Sequence, residues 1–265
     1  MKTITSRDNP RFKALRALAE DGRERRRQGR TLLDGMHLVG AWLARRGLPE
    51  LIVVSEHGLG QGEISSFLAE HADLDVLMMP DGLFRQLSPV DTPSGILALV
   101  QIPPQGEGPR AASCVVLDGV QDAGNVGSIL RSAAAAGIRD AILTPGCAQA
   151  WAPRVLRAAM GAHCYLDIRE QADAAAALAG YPGQALATRL DPAARSLFQA
   201  DLSGPVAWLF GNEGAGLSAP VAALATASVL IPMPGGMESL NVAAAAAICL
   251  FEEVRQKKSV ESRES

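Results

Sequence analysis

The sequence predicts an α/β protein: a small N-terminal α/β domain followed by a larger C-terminal domain with a mostly parallel sheet. Three observations carry this. Short apolar segments alternate with amphipathic ones along most of the chain, as strands do with the helices that cover them. In the second half the apolar segments are continuous rather than alternating, as in strands buried on both faces. Between the halves, residues 102–112 read IPPQGEGPRAA, a Pro- and Gly-rich linker without apolar periodicity.

The elements follow in order. Asn9-Pro10 opens the first helix with a capping side chain and a Pro at the first helical position, and Phe12, Leu15 and Ala19 form its buried stripe. Strands are expected at 31–33, 51–55, 74–79 and 95–101, with helices near 36–46, 61–71 and 80–87. Domain 1–101 ends there. From 113 the alternation restarts, with strands at 114–117, 141–144, 164–168, 185–188, 206–210 and 229–231. Helices are expected near 126–136, 153–160, 171–179, 217–226 and 239–256. The second domain spans 113–256, and 257–265 is a polar, fraying tail.

Composition narrows the function. With 265 residues, 48% hydrophobic and 20% charged, the chain buries a real core, which excludes wholesale disorder. The formal charge of −3 is uneven: residues 1–30 hold ten basic and four acidic side chains, so that stretch is +6 and the remainder −9. A basic end on an acidic protein suggests a polyanionic partner met by one region, and its side chains Arg7, Arg11, Lys13, Arg16, Arg23, Arg25, Arg26 and Arg27 are the candidate contacts. The plainer reading is a solvated helix face. Cys114, Cys147, Cys164 and Cys249 lack C-x-x-C spacing and read as buried hydrophobes in a reducing compartment. The four histidines form no metal-ligand pattern, so no metal site is expected. The N-terminus lacks the apolar core of a signal peptide, and the longest apolar run, Val242 to Phe251, is ten residues, half of a membrane span. A soluble cytoplasmic protein is expected.

Three loops leaving strands of the second domain carry functional side chains, where open parallel sheets collect ligands. The first runs from Asp118 to Arg131. Asn125 is a suitable N-cap, Val126, Ile129, Leu130, Ala133 and Ala134 form a buried face, and Arg131 falls off it, free to reach a phosphate or carboxylate. The second, Leu209 to Ser218, reads LFGNEGAGLS; it is neither the dinucleotide-binding nor the Walker pattern. Glu213 within it would pair with a cation such as Arg131 or accept a hydroxyl proton. The third, from Ile231, reads IPMPGGMESLNVA, with Ser239 a plausible cap for the last helix. There Leu240, Ala243, Ala244, Ala247, Ile248 and Phe251 make a stripe of mostly small side chains, suited to close packing in the core or against another subunit. Taken singly, each loop also reads as ordinary capping, a glycine turn or core.

In order, these loops resemble motifs 1, 2 and 3 of the SpoU (TrmH-like) family of RNA 2′-O-ribose methyltransferases, within the SPOUT superfamily. The matching residues are Asn125, Gly127 and Arg131; Phe210 to Ser218; and Ile231-Pro-Met with Ser239 to Ala243. Ala123 stands where Pro is usual. The segments Leu32 to Val39 (LLDGMHLV) and Asp91 to Ile96 (DTPSGI) are similar to the family's substrate-binding domain, with Asp34 where Glu is commoner.

The resemblance implies an L30e-like first domain and a second domain with a deep trefoil knot. It also implies S-adenosylmethionine as cofactor, a homodimer, and ribosomal RNA, of the large subunit, as substrate. Gly211, Ile231 and Leu240 would hold the cofactor, with Met233 and Thr188 on neighbouring loops. Asn125, Arg131, Glu213, Ser239 and Asn241 would be the catalytic polar set. Because a guanidinium resists deprotonation, Arg131 suits the role of phosphate clamp and alkoxide stabiliser, oriented by Glu213. Two alternatives stay open: a transfer-RNA 2′-O-methyltransferase, and a non-catalytic RNA-binding factor on the same fold. A nucleotide-dependent oxidoreductase is disfavoured by the missing G-x-G-x-x-G.

Overall fold

In a computed structural model the described residues are 1–90, 92–106, 111–189 and 193–264, with side chains as far as Ser259. Asp91 of the DTPSGI segment and residues 107–110 of the expected linker lie outside them. The chain forms two compact units: Met1–Pro104 with Trp151–Cys164, and Gln105–Ala150 with Tyr165–Ser265.

The first unit begins with strand β1 (Lys2–Thr3) and helices α1 (Pro10–Glu20) and α2 (Gly22–Gln28). Asn9 caps α1, accepting from the Arg11 amide at 2.9 Å, and Pro10 takes the first helical position. Phe12, Leu15 and Leu18 form the buried face, while Ala19 is only half-buried. Asp21 is extended (φ −108°), which stops α1, and its carboxylate caps α2 through the Arg23 amide at 2.7 Å. The break turns Arg25 inward. Its Nη1 donates to the carbonyls of Leu18 at 2.6 Å and Ala19 at 3.2 Å, and the residue is 6% exposed. Arg25 therefore satisfies the end of α1 and cannot serve as the RNA contact expected from its sequence neighbourhood.

Strand β2 (Arg30–Asp34), helix α3 (Met36–Arg46), strand β3 (Leu51–Ser55), helices α4 (Glu56–Leu59) and α5 (Gly62–Glu70), strand β4 (Val76–Met79), helix α6 (Asp81–Phe84) and strand β5 (Ile96–Gln101) follow. The strand order is β1-β4-β3-β5-β2; β1, β4 and β3 run parallel, and β5 is antiparallel to both neighbours. One sheet face buries Leu32, Val53, Leu77 and Leu97 against α1 and α6. The glycine of the DTPSGI segment has a steric reason. Gly95 has φ +90°, and a Cβ on it would lie 2.6 Å from the Gly58 Cα.

The second unit starts with strand β6 (Cys114–Asp118), helix α7 (Ala123–Ala135) and strand β7 (Asp140–Leu143). The chain then makes an excursion that sequence periodicity does not reveal. Helix α8 (Pro153–Ala159) and the 3-10 turn Ala162–Cys164 group by their contacts with the first unit. The Trp151 ring meets Trp42 edge-on at 6.4 Å and His163 at 4.9 Å, and its carbonyl accepts from Thr31 Oγ1 at 2.7 Å. Because Cys164 closes that turn, strand β8 is Asp167–Arg169 rather than starting at 164.

Helix α9 (Ala174–Ala177), strands β9 (Gln184–Thr188), β10 (Arg195–Ser196) and β11 (Val206–Gly211), helix α10 (Ala219–Ala222), strand β12 (Ala227–Leu230) and helix α11 (Val242–Glu264) complete the unit. Among the described residues the sheet order is β10-β12-β9-β11-β6-β7-β8, with every pairing parallel. Both faces are covered: Ala207 and Leu209 pack with α9 and α10, while Trp208 and Phe210 stack at 6.3 Å and the Trp208 indole donates to Glu253 of α11. That double burial is why β11 reads as one apolar run.

Helix α11 continues through the segment expected to fray. Glu252 accepts from Arg255 and Gln256, and the buried Glu253 accepts from Lys257 at 2.6 Å, from Trp208 Nε1 at 2.5 Å and from Ser113. Its buried face is Ala246, Cys249, Leu250 and Glu253. The stripe expected from sequence lies to one side of it, with Leu240, Ala244 and Phe251 exposed.

Candidate active site

The three loops leave the carboxyl ends of β6, β11 and β12, on strands near the middle and one side of the sheet. A buried carboxylate, Asp118, anchors them. It is the last residue of β6, accepting from Thr144 Oγ1 at 2.8 Å and from the Ser218 amide at 2.6 Å. One side chain thus joins the first loop to the end of the second.

In the first loop Asp122, not Asn125, is the N-cap, its Oδ1 accepting from the Asn125 amide at 2.7 Å. Helix α7 starts at Ala123, so the loop is held by this cap although Pro is missing there. Asn125 sits in the first turn with its side chain released for other partners.

The second loop is a closed turn. Asn212 and Gly216 exchange backbone hydrogen bonds of 2.9 Å each way, and Asn212 Oδ1 accepts from the amides of Gly214 and Ala215. Its Nδ2 donates to the Gly119 carbonyl at 2.8 Å. Gly211 admits no side chain: a Cβ would lie 2.3 Å from the Gly216 carbonyl carbon. The turn aims Glu213 at the first loop. Its carboxylate accepts from Asn125 Nδ2 at 3.0 Å, from the Asp122 amide at 3.3 Å and from the Gln121 amide at 3.4 Å. Partial desolvation pushes the Glu213 carboxyl up, but these hydrogen bonds together outweigh it and hold the group below the usual carboxylate range.

The third loop closes the chain of contacts. Asn241 Nδ2 donates to Asn125 Oδ1 at 2.9 Å, while its Oδ1 accepts from the amides of Ala243 at 2.9 Å and Ala244 at 3.3 Å. Asn241 is thus the cap of α11, the role expected of Ser239.

A cleft of about 420 Å³ opens beside this network. It is lined by Thr188, Gly211, Glu213, Ile231, Met233, Ser239, Leu240 and Asn241 among the residues anticipated from sequence. Asn212, Leu217, Val229, Val242 and Ala245, and the side chains of Arg189 and Glu238, complete much of the wall. Asn125 reaches it through its two partners. Arg131 does not: it is exposed on α7, absent from the lining, and its side chain makes no hydrogen bond or ion pair among the described residues. Glu213 therefore orients Asn125 and not Arg131.

Sequence reasoning missed Asp118, Asn212 and Thr144 as organisers of the site. Asp118 left a signal, a lone carboxylate ending the apolar run CVVLD where burial demands partners. Among the described residues no group of three or more His, Cys, Asp or Glu side chains is placed to hold a metal ion.

The SpoU rRNA Methylase family model matches residues 112–251. The chain belongs to the SpoU rRNA methylase family. A second model, the MRM3-like substrate binding domain, matches residues 9–98. An uncharacterised tRNA/rRNA methyltransferase of Synechocystis is 33% identical, covering 96% of this chain and 94% of that protein. The 23S rRNA (guanosine(2553)-2′-O)-methyltransferase RlmP of Bacillus subtilis is 30% identical over 95% of this chain and 98% of its own. The AdoMet complex of the SpoU methyltransferase AviRb from Streptomyces viridochromogenes superposes with a TM-score of 0.85 at 26% identity, covering 95% and 99% of the two chains. These SpoU relatives span both units described here. No helix among the described residues is long and apolar enough to cross a membrane.

Proposed function

We propose that this SpoU family member transfers a methyl group from S-adenosylmethionine to a ribose 2′-hydroxyl of ribosomal RNA, that of the large subunit. The observation that carries the reading is the side-chain chain Glu213–Asn125–Asn241, which ties all three loops together at the cleft. Relatives along almost the whole chain are named as 23S rRNA 2′-O-methyltransferases, which favours ribosomal over transfer RNA.

The cleft suits the cofactor chemically. Its volume falls in the small-molecule range of roughly 300–1,000 Å³, and its walls pair apolar Ile231, Met233 and Leu240 with glycine backbone at Gly211 and Gly216. The acidic side chains Glu213 and Glu238 in its lining complement a positively charged sulfonium. When bound, the cofactor supplies an activated methyl group. The protein supplies position: Gly211, Ile231 and Leu240 hold the cofactor, and Asn125 and Asn241 fix the loops around it. Met233, Thr188 and Ser239 complete the wall. Arg131, exposed and unpaired among the described residues, is available to clamp a substrate phosphate and stabilise the developing alkoxide.

The exposed face of α11 bearing Ala244 and Phe251 supports a homodimer, with apolar surface left for a second copy. The trefoil knot belongs to the same family reading, and the four free cysteines fit a reducing cytoplasm.

The test is transfer from labelled S-adenosylmethionine to total RNA of a strain lacking the gene, separated by size. We expect label in large-subunit ribosomal RNA. Label confined to transfer RNA overturns the substrate, and cofactor and RNA binding without label favours the non-catalytic alternative.

A further inference from the structure

We propose that helix α8 is an RNA-contacting element of the first unit, with Arg154 and Arg157 binding backbone phosphates of the substrate. The proposal rests on the RNA reading above and assigns residues that lie outside the substrate-binding match at 9–98 and inside the SpoU methylase match at 112–251.

The helix is built to present these two side chains. Val155, Leu156 and Ala159 are buried, so its other side must face outward. Arg154 and Arg157, three residues apart, lie together on that side and are exposed. The segment is pinned at both ends. Thr31 Oγ1 donates to the Trp151 carbonyl at the start, and at the close the Met160 carbonyl lies 3.3 Å from His37 Nε2. Met160 itself takes φ +47°, with its amide donating to the carbonyls of Leu156 and Arg157. A rigid helix spends little ordering entropy when its arginines engage a ligand.

Charge availability sets this pair apart from part of the basic N-terminal run. There Lys13 pairs with Asp8, Arg16 with Glu20 and Arg27 with Glu24, and Arg25 is buried, while Arg7, Arg23 and Arg26 are exposed like the α8 pair. Helix α8 contains no acid, and neither the Arg154 nor the Arg157 side chain makes a hydrogen bond or an ion pair within 4 Å among the described residues. Arg157 does act electrostatically on Asp34, whose oxygens accept from Ser88 at 2.5 Å and Ser94 at 3.5 Å. Two planar guanidinium groups with no salt bridge within 4 Å are suited to phosphate. The adjacent turn at Asp34 to His37 is the LLDGMHLV segment, to which the catalytic reading gives no role.

The experiment compares full-length wild type with the double variants Arg154→Gln/Arg157→Gln and Arg23→Gln/Arg26→Gln, using protein-free large-subunit ribosomal RNA as the probe. Affinity is measured across salt concentrations, together with cofactor affinity, thermal midpoint and methyl transfer. We expect the α8 variant to bind RNA about tenfold more weakly and its log–log salt slope to fall by about 1.5–2, as two phosphate contacts require. Its cofactor affinity and thermal midpoint should match wild type, and Arg157→Lys alone should keep the wild-type slope. An unchanged affinity and slope in the α8 variant, while wild type binds and methylates the RNA, overturns the proposal. Wild type that neither binds nor methylates RNA overturns the RNA reading itself.

Discussion

Asn241 donates its side-chain amide to Asn125 Oδ1 at 2.9 Å, across 116 residues of sequence. The same side chain caps α11 through its own oxygen. Cap and bridge can therefore be separated. Asn241→Asp keeps the acceptor and should retain the stability worth about 1 kcal/mol that a cap contributes. It removes the donor, so turnover should fall while the thermal midpoint holds. In a double-mutant cycle with Asn125→Ala the two sites should couple by about 0.5–3 kcal/mol; additive effects would show that the bridge is idle.

Glu213 provides a pH signature. Its folded carboxyl titrates below the ordinary carboxylate range, so its contribution is complete above the unfolded value and disappears as pH falls through the depressed folded one. Thermal midpoints of wild type and Glu213→Gln should differ at neutral pH and converge in acid. A gap that widens in acid would reverse the sign.

Gly211→Ala should act through the backbone. Its Cβ would meet Gly216 and Leu217 main chain at 2.3 and 2.4 Å, so the turn must shift. We expect a loss of about 1–3 kcal/mol, the usual cost of overpacking, with cofactor affinity reduced in the folded fraction. Calorimetry of cofactor binding checks it.

Arg131→Ala should abolish turnover while cofactor binding and stability survive. The side chain is exposed, outside the cleft lining, and such substitutions shift stability by only about 0.5 kcal/mol. Equal loss of cofactor affinity would move Arg131 from substrate clamp to cofactor site.

Glu253→Ala should be the most destabilising of these changes. It would leave Trp208 Nε1 and Ser113 without their acceptor and Lys257 without its charge partner. Breaking a buried pair costs about 3–5 kcal/mol, readable as a shift in denaturant midpoint at constant slope.

The sequence made some of this legible and not the rest, for physical reasons. The parallel strands could be read because burial on both faces leaves an uninterrupted apolar run, as in Val206 to Phe210. The three loops could be read because glycine and polar residues after such runs are conspicuous. Contacts between distant positions could not. Nothing local marks Arg25 as the buried partner of α1 carbonyls, and the apolar run ending at Asp118 signals that it needs partners without naming Ser218. Cap positions slipped for the same reason: Asp122 and Asn125, like Ser239 and Asn241, are all competent caps, and tertiary contacts decide which is used. The grouping of α8 with the first unit's contacts is likewise not written in its periodicity, which states that a face is buried and not which residues bury it.

The most direct test of the central claim is the chemical position of the transferred methyl group. After incubation of the wild-type protein with labelled S-adenosylmethionine and protein-free large-subunit ribosomal RNA, complete digestion to nucleosides should release the label in one 2′-O-methylated nucleoside. The linkage 3′ to that residue should resist alkali. Label on a base, with every linkage alkali-labile, would contradict ribose methylation by this site.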